Sequence, residues 1–340
     1  MLKIDKDKVT FDLGRCQQCG VCEPVCPKEA ISLKLRADGT HDVVVDHEKC
    51  VLCGRCVRTC PSNVVNDYSE YFSGFPTKKY YLGYNTDKVI RRHSSSGGVC
   101  RTLIIEALKS KTVDGVYTIT GTDEYPYAKG RFFTSDDIPA FSDMPNSVYH
   151  SVPACAEARE LKPCRRMMIV GTSCQLRALA PVAKNLCEEL LTVCIFCKQQ
   201  KTLDSTRFLA KVMGTEISAD LKFSATYRGN GWPGRVKVND RELRYGRAAQ
   251  VPFGRRLFSV PGCDLCGDSF GTIAGADITL MDPWNIRHDN ELGETLVIVN
   301  TSRGLELLKD VDDLQLDEIS FSDATSALSL DDVRAKQITE

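Results

Sequence analysis

Apolar residues recur at helical spacing in Val99, Leu103, Ile104, Ala107 and Leu108, which predicts a helix with one buried face. The turn before it reads His93-Ser94-Ser95-Ser96-Gly97-Gly98. Its serines would cap the helix, and the free first-turn amides could hold a phosphate; a plain capped turn would carry the same residues. Short unbroken apolar runs predict buried strands at Val113–Thr120, Met167–Val170, Leu190–Phe196, Ile278–Met281 and Leu296–Val299. Val236–Val238 and Leu243–Tyr245 flank Asn239-Asp240, and Ala30–Leu35 and Asp42–Asp46 flank Asp38-Gly39; both pairs predict hairpins. Mixed strands and helices place the chain beyond residue 89 in the α/β class. Met167–Val170 runs into Gly171-Thr172-Ser173-Cys174-Gln175, the strand-to-helix loop where α/β folds commonly place ligands. No GxGxxG or Walker pattern is present, so a standard dinucleotide fold is not supported.

Residues 68–84 hold seven aromatics: Tyr68, Tyr71, Phe72, Phe75, Tyr80, Tyr81 and Tyr84. A flexible linker is Gly/Ser-rich, so 68–88 is expected to pack across a junction between an N-terminal domain (1–67) and a larger one (89–340). The 340 residues suit two or three domains. The formal net charge of −1 supplies no field that would draw in nucleic acid or an anionic membrane. Charges alternate with apolar residues over residues 1–8, which argues against a signal peptide. The most apolar stretches, Leu190–Cys197 and Thr295–Val299, fall short of the roughly 18 residues a membrane span needs. A cytoplasmic protein is expected, one that could still dock peripherally on a membrane complex.

Seventeen cysteines change the picture. Eight fall in two runs, Cys16-x2-Cys19-x2-Cys22-x3-Cys26-Pro27 and Cys50-x2-Cys53-x2-Cys56-x3-Cys60-Pro61, offset by a constant 34 residues. Both match the bacterial ferredoxin pattern. Three thiolates two residues apart wrap three irons of a cube, and in two-cluster ferredoxins the fourth cysteine of each run serves the other cluster. Cys16, Cys19, Cys22 and Cys60 are therefore expected to hold one [4Fe–4S] cluster, and Cys50, Cys53, Cys56 and Cys26 the other. Gly20 and Gly54 would let amides approach the sulfurs, and Pro27 and Pro61 would end each loop before a short helix. Zinc, usually held by separated CxxC pairs, fits these runs poorly. Residues 1–67 carry ten Lys and Arg against ten Asp and Glu, so a tethered relay suits the module better than a steered free shuttle. Cys263-x2-Cys266, with Cys174 and Cys197, offers four further thiols for a third cluster. Cys100, Cys155, Cys164, Cys187 and Cys194 read as small buried hydrophobes.

The second domain resembles the beta-subunit family of coenzyme F420 hydrogenases and dehydrogenases. The resemblance spans about 90–300. It rests on Ser95-Ser96-Gly97-Gly98, Val170–Gln175, Phe196-Cys197, Tyr227-Arg228-Gly229-Asn230-Gly231-Trp232-Pro233-Gly234, Cys263-Asp264-Leu265-Cys266-Gly267-Asp268 and Gly275–Trp284, in that order. The family pattern has Pro where this chain has Ser173, and Gly where it has Met281; the second change puts a long side chain where a backbone could approach a ligand closely, and leaves the substrate open. The resemblance implies a bacterial two-cluster ferredoxin domain followed by a flavin-binding α/β domain. It implies FAD beside Ser95–Gly98, with Asn146, Ser147 and Tyr149 at the flavin edge and Thr172, Ser173 and Arg228 close by, and a third [4Fe–4S] cluster on Cys174, Cys197, Cys263 and Cys266.

A deazaflavin gives up electrons as a hydride pair and a cluster takes one at a time, so a flavin is the natural converter. The expected activity is an FAD- and iron–sulfur-dependent oxidoreductase, with reduced coenzyme F420 as hydride donor and a redox protein or complex as partner. A ferredoxin-dependent reductase of another ring, such as a tetrapyrrole, and a non-catalytic electron-transfer subunit are the alternatives. No acid–base dyad is evident. His93 and His150 lie near the flavin segments or serve structure; Arg228 and Lys198 meet an anionic tail or water; Trp232 and Trp284 stack on a ring or pack a core. The acid-rich stretch Asp310–Glu318 is a docking face or a solvated edge.

Overall fold

In the computed structural model residues 1–337 are described, except 65, 250–251, 254, 287–290 and 310. Eight strands form one mixed sheet: β1 (Lys79–Asn85), β2 (Gly115–Gly121), β3 (Ala128–Thr134), β4 (Cys164–Gly171), β5 (Cys187–Ile195), β6 (Ile278–Met281), β7 (Thr295–Val299) and β8 (Leu314–Ile319). Their order is β8-β1-β7-β6-β5-β4-β2-β3. Four adjacent strands, β6, β5, β4 and β2, are parallel to one another. The flanking strands pair antiparallel.

The apolar run of β4 is explained by its burial on both faces. Met168 and Val170 pack with Leu103, Ile104 and Leu108 of helix α1 (Val99–Lys109). Met167 and Ile169 turn the other way, onto Leu176 and Leu179 of helix α2 (Ser173–Ala183). Each such side chain contributes about 1.5–3 kcal/mol on leaving water. The five strands expected from apolar runs are all present, shifted by a few residues at their ends. The Asn239 hairpin forms as Arg235–Val238 with Arg241–Arg244, while Tyr245 opens a short helix instead of closing a strand.

Two expectations change. Residues 79–85 are β1, an inner strand, so the aromatic segment is partly sheet. Tyr80 is buried and its hydroxyl donates to Phe75 O at 2.6 Å, while Tyr71, Phe75 and Phe270 form an aromatic cluster beneath the sheet. No serine caps α1. Gly98, at φ 86°, precedes its first turn without a side-chain cap, and Ser94 Oγ instead donates to Ile90 O in the preceding turn. In the acidic stretch, residue 310 lies outside the described residues; Leu314 and Leu316 of β8 pack on the core, and Asp312, Asp313, Asp317 and Glu318 are exposed.

The N-terminal module has two hairpins, Leu2–Asp5 with Lys8–Phe11 and Ile31–Leu35 with His41–Val45, and Gly39 turns the second at φ 78°. The 34-residue repeat holds in the backbone. Gln18 and Leu52 stand at φ 59° and 55°, and Gly20 and Gly54 at 85° and 68°. Pro61 starts a single 3-10 turn, whereas the chain at Pro27 makes only a turn, with Glu29 N donating to Cys26 O at 3.3 Å. The module is seated firmly. Arg159 donates to Pro24 O and Cys26 O, both at 3.2 Å, and Arg177 to Pro61 O at 2.8 Å. Leu203 N donates to Asp38 O at 2.8 Å. Among the described residues no helix is long and apolar enough to cross a membrane.

Candidate redox site

One cavity of the N-terminal module is lined by Cys16, Cys19, Cys22 and Cys60, and a second by Cys26, Cys50, Cys53 and Cys56. Each takes three thiols from one run and one from the other, because the left-handed residues at 18 and 20, and at 52 and 54, coil each run while its fourth cysteine passes to the neighbour. The sulfurs attract donors. Gln18 N and Nε2 lie 3.4 and 3.5 Å from Cys16 Sγ, and Ala30 N lies 3.3 Å from Cys26 Sγ. Burial pushes the Cys16 and Cys56 thiols up to about 11, and pushes Cys22 well up too, since a buried thiolate loses its hydration. Cys19 goes the other way, held low by a hydrogen bond from Cys155 against its burial. Iron binding would replace those costly protons, so the donor set fits a thiolate-ligated cluster. Among the described residues no three His, Cys, Asp or Glu side chains close around a single ion; a cuboidal cluster holds its thiols farther apart.

The third set gathers at the carboxyl edge of the parallel strands. Cys174 lies in the first turn of α2, where helix amides favour an anionic sulfur, and Thr172 Oγ1 stands 3.3 Å from it. Cys197 follows β5, its N–H donating to Ser269 O at 3.1 Å. Cys263 and Cys266 belong to one short turn, and Gln200 N donates to Cys263 Sγ at 3.4 Å. Cys174 is pushed well up by burial first and then by the charges of Cys266, Cys19 and Cys263. Thr172 and Ser173 belong here: Ser173 Oγ donates to the buried Asp268, whose other oxygen accepts from Tyr71 OH at 2.9 Å. Asp268 was within reach of the sequence, in Cys-Gly-Asp, but only its burial shows that it orients the set.

Eight of the expected flavin-site residues meet at the same sheet edge. Ser95 Oγ accepts from Ser147 N at 3.0 Å and Ser147 Oγ at 3.1 Å. Asn146 Nδ2 donates to His93 O at 2.9 Å. Ser96 Oγ pairs with Thr295 Oγ1 at 2.8 Å, and Gly97 N donates to the same oxygen at 3.0 Å. Gly97 has no room for a side chain: a Cβ would stand 2.2 Å from Gly83 O. Gly98 precedes α1 with no side chain capping the helix. Arg228, 1% exposed, donates to Ser95 O at 2.6 Å and Pro233 O at 3.1 Å, and pairs with Asp282. It is not a solvated charge; its fork is spent on fixing the turn. Tyr149 OH lies 3.5 Å from it, and Tyr245, Trp232 and Trp284 pack around its guanidinium. The two tryptophan rings lie 4.8 Å apart, tilted by 41°. Asp282, Thr295 and Tyr245 were missed, since only the fold brings them to Arg228 or Ser96.

The remaining expectations sort by burial. His150 is buried, bonding Tyr227 OH at 2.8 Å and Pro126 O at 2.7 Å, and burial pushes it down to about 4; it is structural. His93 bonds Val89 O at 2.8 Å within its own helix. Lys198 pairs with Asp332 at 3.0 Å on the surface. Met281 is buried in the aromatic cluster with Tyr71 and Phe270, so its side chain does not fill the ligand turn.

The sequence profile of a 4Fe-4S dicluster domain matches residues 15–64. The profile described as coenzyme F420 hydrogenase/dehydrogenase, beta subunit N-term, matches residues 80–156, and its companion for the C terminus of the same beta subunit matches residues 164–323. Among solved structures, a chain of the F420-reducing [NiFe] hydrogenase complex from Methanosarcina barkeri, in a xenon derivative, superposes with a TM-score of 0.55 at 18% identity, over 81% of this chain and 94% of that one. At that identity the likeness is one of fold. No curated protein sequence matches the chain.

Proposed function

The chain belongs to the coenzyme F420 hydrogenase/dehydrogenase beta-subunit family, with an N-terminal 4Fe–4S dicluster domain, and on that footing we propose that it is an iron–sulfur flavoprotein oxidoreductase. It passes electrons between a hydride donor, with reduced coenzyme F420 favoured, and three [4Fe–4S] clusters. The reading is carried by one observation: the helix that holds Cys174 in its first turn is tied to the lining of the first cavity, Arg177 donating to Pro61 O next to Cys60 at 2.8 Å. The three sets thus form a series rather than isolated sites.

Cys16, Cys19, Cys22 and Cys60 hold the middle cluster of that series. Cys26, Cys50, Cys53 and Cys56 hold the outer one, where Cys53 is exposed and Val51 is 58% exposed, so electrons exchange with a redox partner there. Cys174, Cys197, Cys263 and Cys266 hold the inner one. FAD fits at Ser95–Gly98. The uncapped first turn of α1 offers amides to phosphate, Gly97 lets backbone pack where a Cβ would collide, and Ser95, Ser147 and Asn146 line the turn with hydroxyl and amide groups. Bound there, FAD supplies the exchange between two-electron and one-electron chemistry. Arg228 and Asp282 hold the turn in place, and Tyr149 shapes its edge. Residues 1–67 act as the relay domain and 89–340 as the flavin domain, with 68–88 packed between them.

Iron, acid-labile sulfide and flavin analysis of anaerobically purified protein tests this composition. About twelve irons and about one FAD per chain are expected from three cubane clusters. Iron near eight with no flavin would leave a two-cluster relay and remove the flavin reading.

A further inference from the structure

Gln17, His41 and Ser62 line the first cavity together with its four thiols. The side-chain oxygens of Gln17 and Ser62 and the Nδ1 of His41 are shut off from solvent, and none meets a hydrogen-bond partner among the described residues. Unmet buried polar atoms cost folding free energy, and native folds keep few of them. Here three share one cavity. Both His41 and Ser62 are held in place. His41 N donates to Gln18 Oε1 at 2.6 Å, and His41 O accepts from Gln18 Nε2 at 3.0 Å, the same amide that reaches Cys16 Sγ. Ser62 lies in the turn after Cys60. That turn is pinned by Arg177 on Pro61 O and by Asn63 Nδ2 on Leu2 O and Val57 O, each at 2.8 Å. The 34-residue repeat does not copy this lining. In the second cavity Lys28 stands where Ser62 would and Val51 where Gln17 would, and both are exposed.

We propose that the Ser62 hydroxyl and the His41 Nδ1–H donate hydrogen bonds to the inorganic sulfides of the cluster in this cavity and raise its reduction potential. The inference rests on the reading that the cavity holds a [4Fe–4S] cluster. Neither group bonds a cysteine sulfur or any other protein acceptor among the described residues, so the acceptors within the cavity are the sulfides of the cube itself. A flip that exchanges the oxygen and nitrogen of the Gln17 amide turns its N–H2 toward the same sulfides. Hydrogen bonds to a charged acceptor are roughly twice as strong as neutral ones. Reduction adds negative charge to the sulfides, so the reduced state holds these donors more tightly. Hydrogen bonds to the sulfurs are one of the protein's means of setting cluster potentials. No covalent bond to Ser62 or His41 forms or breaks, and neither changes its protonation.

EPR-monitored redox titration of the full chain, with iron analysis, tests this in the parent, Ser62→Ala, Ser62→Thr, His41→Phe and the double variant Ser62→Ala with His41→Phe. In the double variant one cluster's midpoint should move to more negative potential, with the others in place. At fixed potential its reduced-to-oxidised ratio should fall about tenfold, equivalent to ~59 mV for a one-electron couple. Each single variant should give part of that shift. Threonine keeps the hydroxyl and should stay near the parent value. The cluster that moves should be the one whose signal Cys19→Ser removes. Unmoved midpoints in the double variant, a threonine shift as large as alanine's, or movement of a different cluster would overturn the inference. So would loss of that cluster's iron in Ser62→Ala and in His41→Phe, which would make both residues structural. A parent chain without cluster signals overturns the underlying reading instead, so the parent alone tells the two failures apart.

Discussion

Arg228→Met should loosen the ligand turn more than any surface change could. The guanidinium is 1% exposed, and its loss leaves Ser95 O and Pro233 O without their donor and Asp282 without its counter-charge. Removing one member of a buried ion pair costs about 3–5 kcal/mol. Asp282 retains 23% side-chain exposure, so water screens part of the orphaned charge and the low end, about 3 kcal/mol, applies. Asp282→Asn should cost about 2 kcal/mol, because Arg228 keeps its carbonyl acceptors but loses its counter-charge. The double variant should cost less than the sum by about 1–2 kcal/mol, since the second removal no longer strands a charge. Urea titration followed by tryptophan emission reads this locally: Trp232 and Trp284 are the chain's two tryptophans and both pack on Arg228. An unchanged midpoint in Arg228→Met, or strictly additive single effects, would refute the assignment of Arg228 and Asp282 as the clamp of this turn.

Gly97→Ala should cost about 1–3 kcal/mol and cost the protein its flavin on purification, because the new Cβ meets Gly83 O and Thr295 N, neither of which can rotate away; Gly246→Ala, with nothing within 4 Å, should be neutral by the same assays. Cys60→Ser should remove about four irons and leave the same residual EPR spectrum as Cys19→Ser; matching Cys53→Ser instead would show that each run serves its own cluster. Burial pushes His150 down to about 4 from the ordinary 6.5, so between those values the unfolded chain binds a proton that the folded chain refuses. Stability should therefore fall as pH drops from about 6.5 to about 4, by up to about 3 kcal/mol, and His150→Gln should flatten that slope in denaturation measured across the range.

The cysteine runs were legible because cluster chemistry fixes both residue type and spacing, and a 34-residue offset leaves little room for another reading. Strands β4, β5, β6 and β7 were legible because burial on two faces demands unbroken apolar runs. Strand β1 was hidden in its tyrosines, which suit a half-buried strand and a packed linker equally, and β8 in its acidic residues, since an edge strand exposes one side to water. The serine turn reads as a cap because Ser commonly occupies that place; Gly98 takes it through a left-handed conformation that composition does not reveal. Arg228 looks like any charged loop residue. Its burial depends on Asp282, 54 positions away, and no local pattern carries that pairing. Cys155 fits the small buried hydrophobe in every local respect, and only the fold shows that its backbone N–H meets Cys19 O of the first cysteine loop.

Anaerobic rapid mixing of the cluster-loaded chain with reduced coenzyme F420, followed by flavin and cluster absorbance, tests the central claim most directly. The account predicts bleaching of the flavin band and of the broad cluster absorbance within the same reaction. Spectra that stay intact with that donor, yet bleach with dithionite or reduced ferredoxin, would contradict a deazaflavin-linked oxidoreductase.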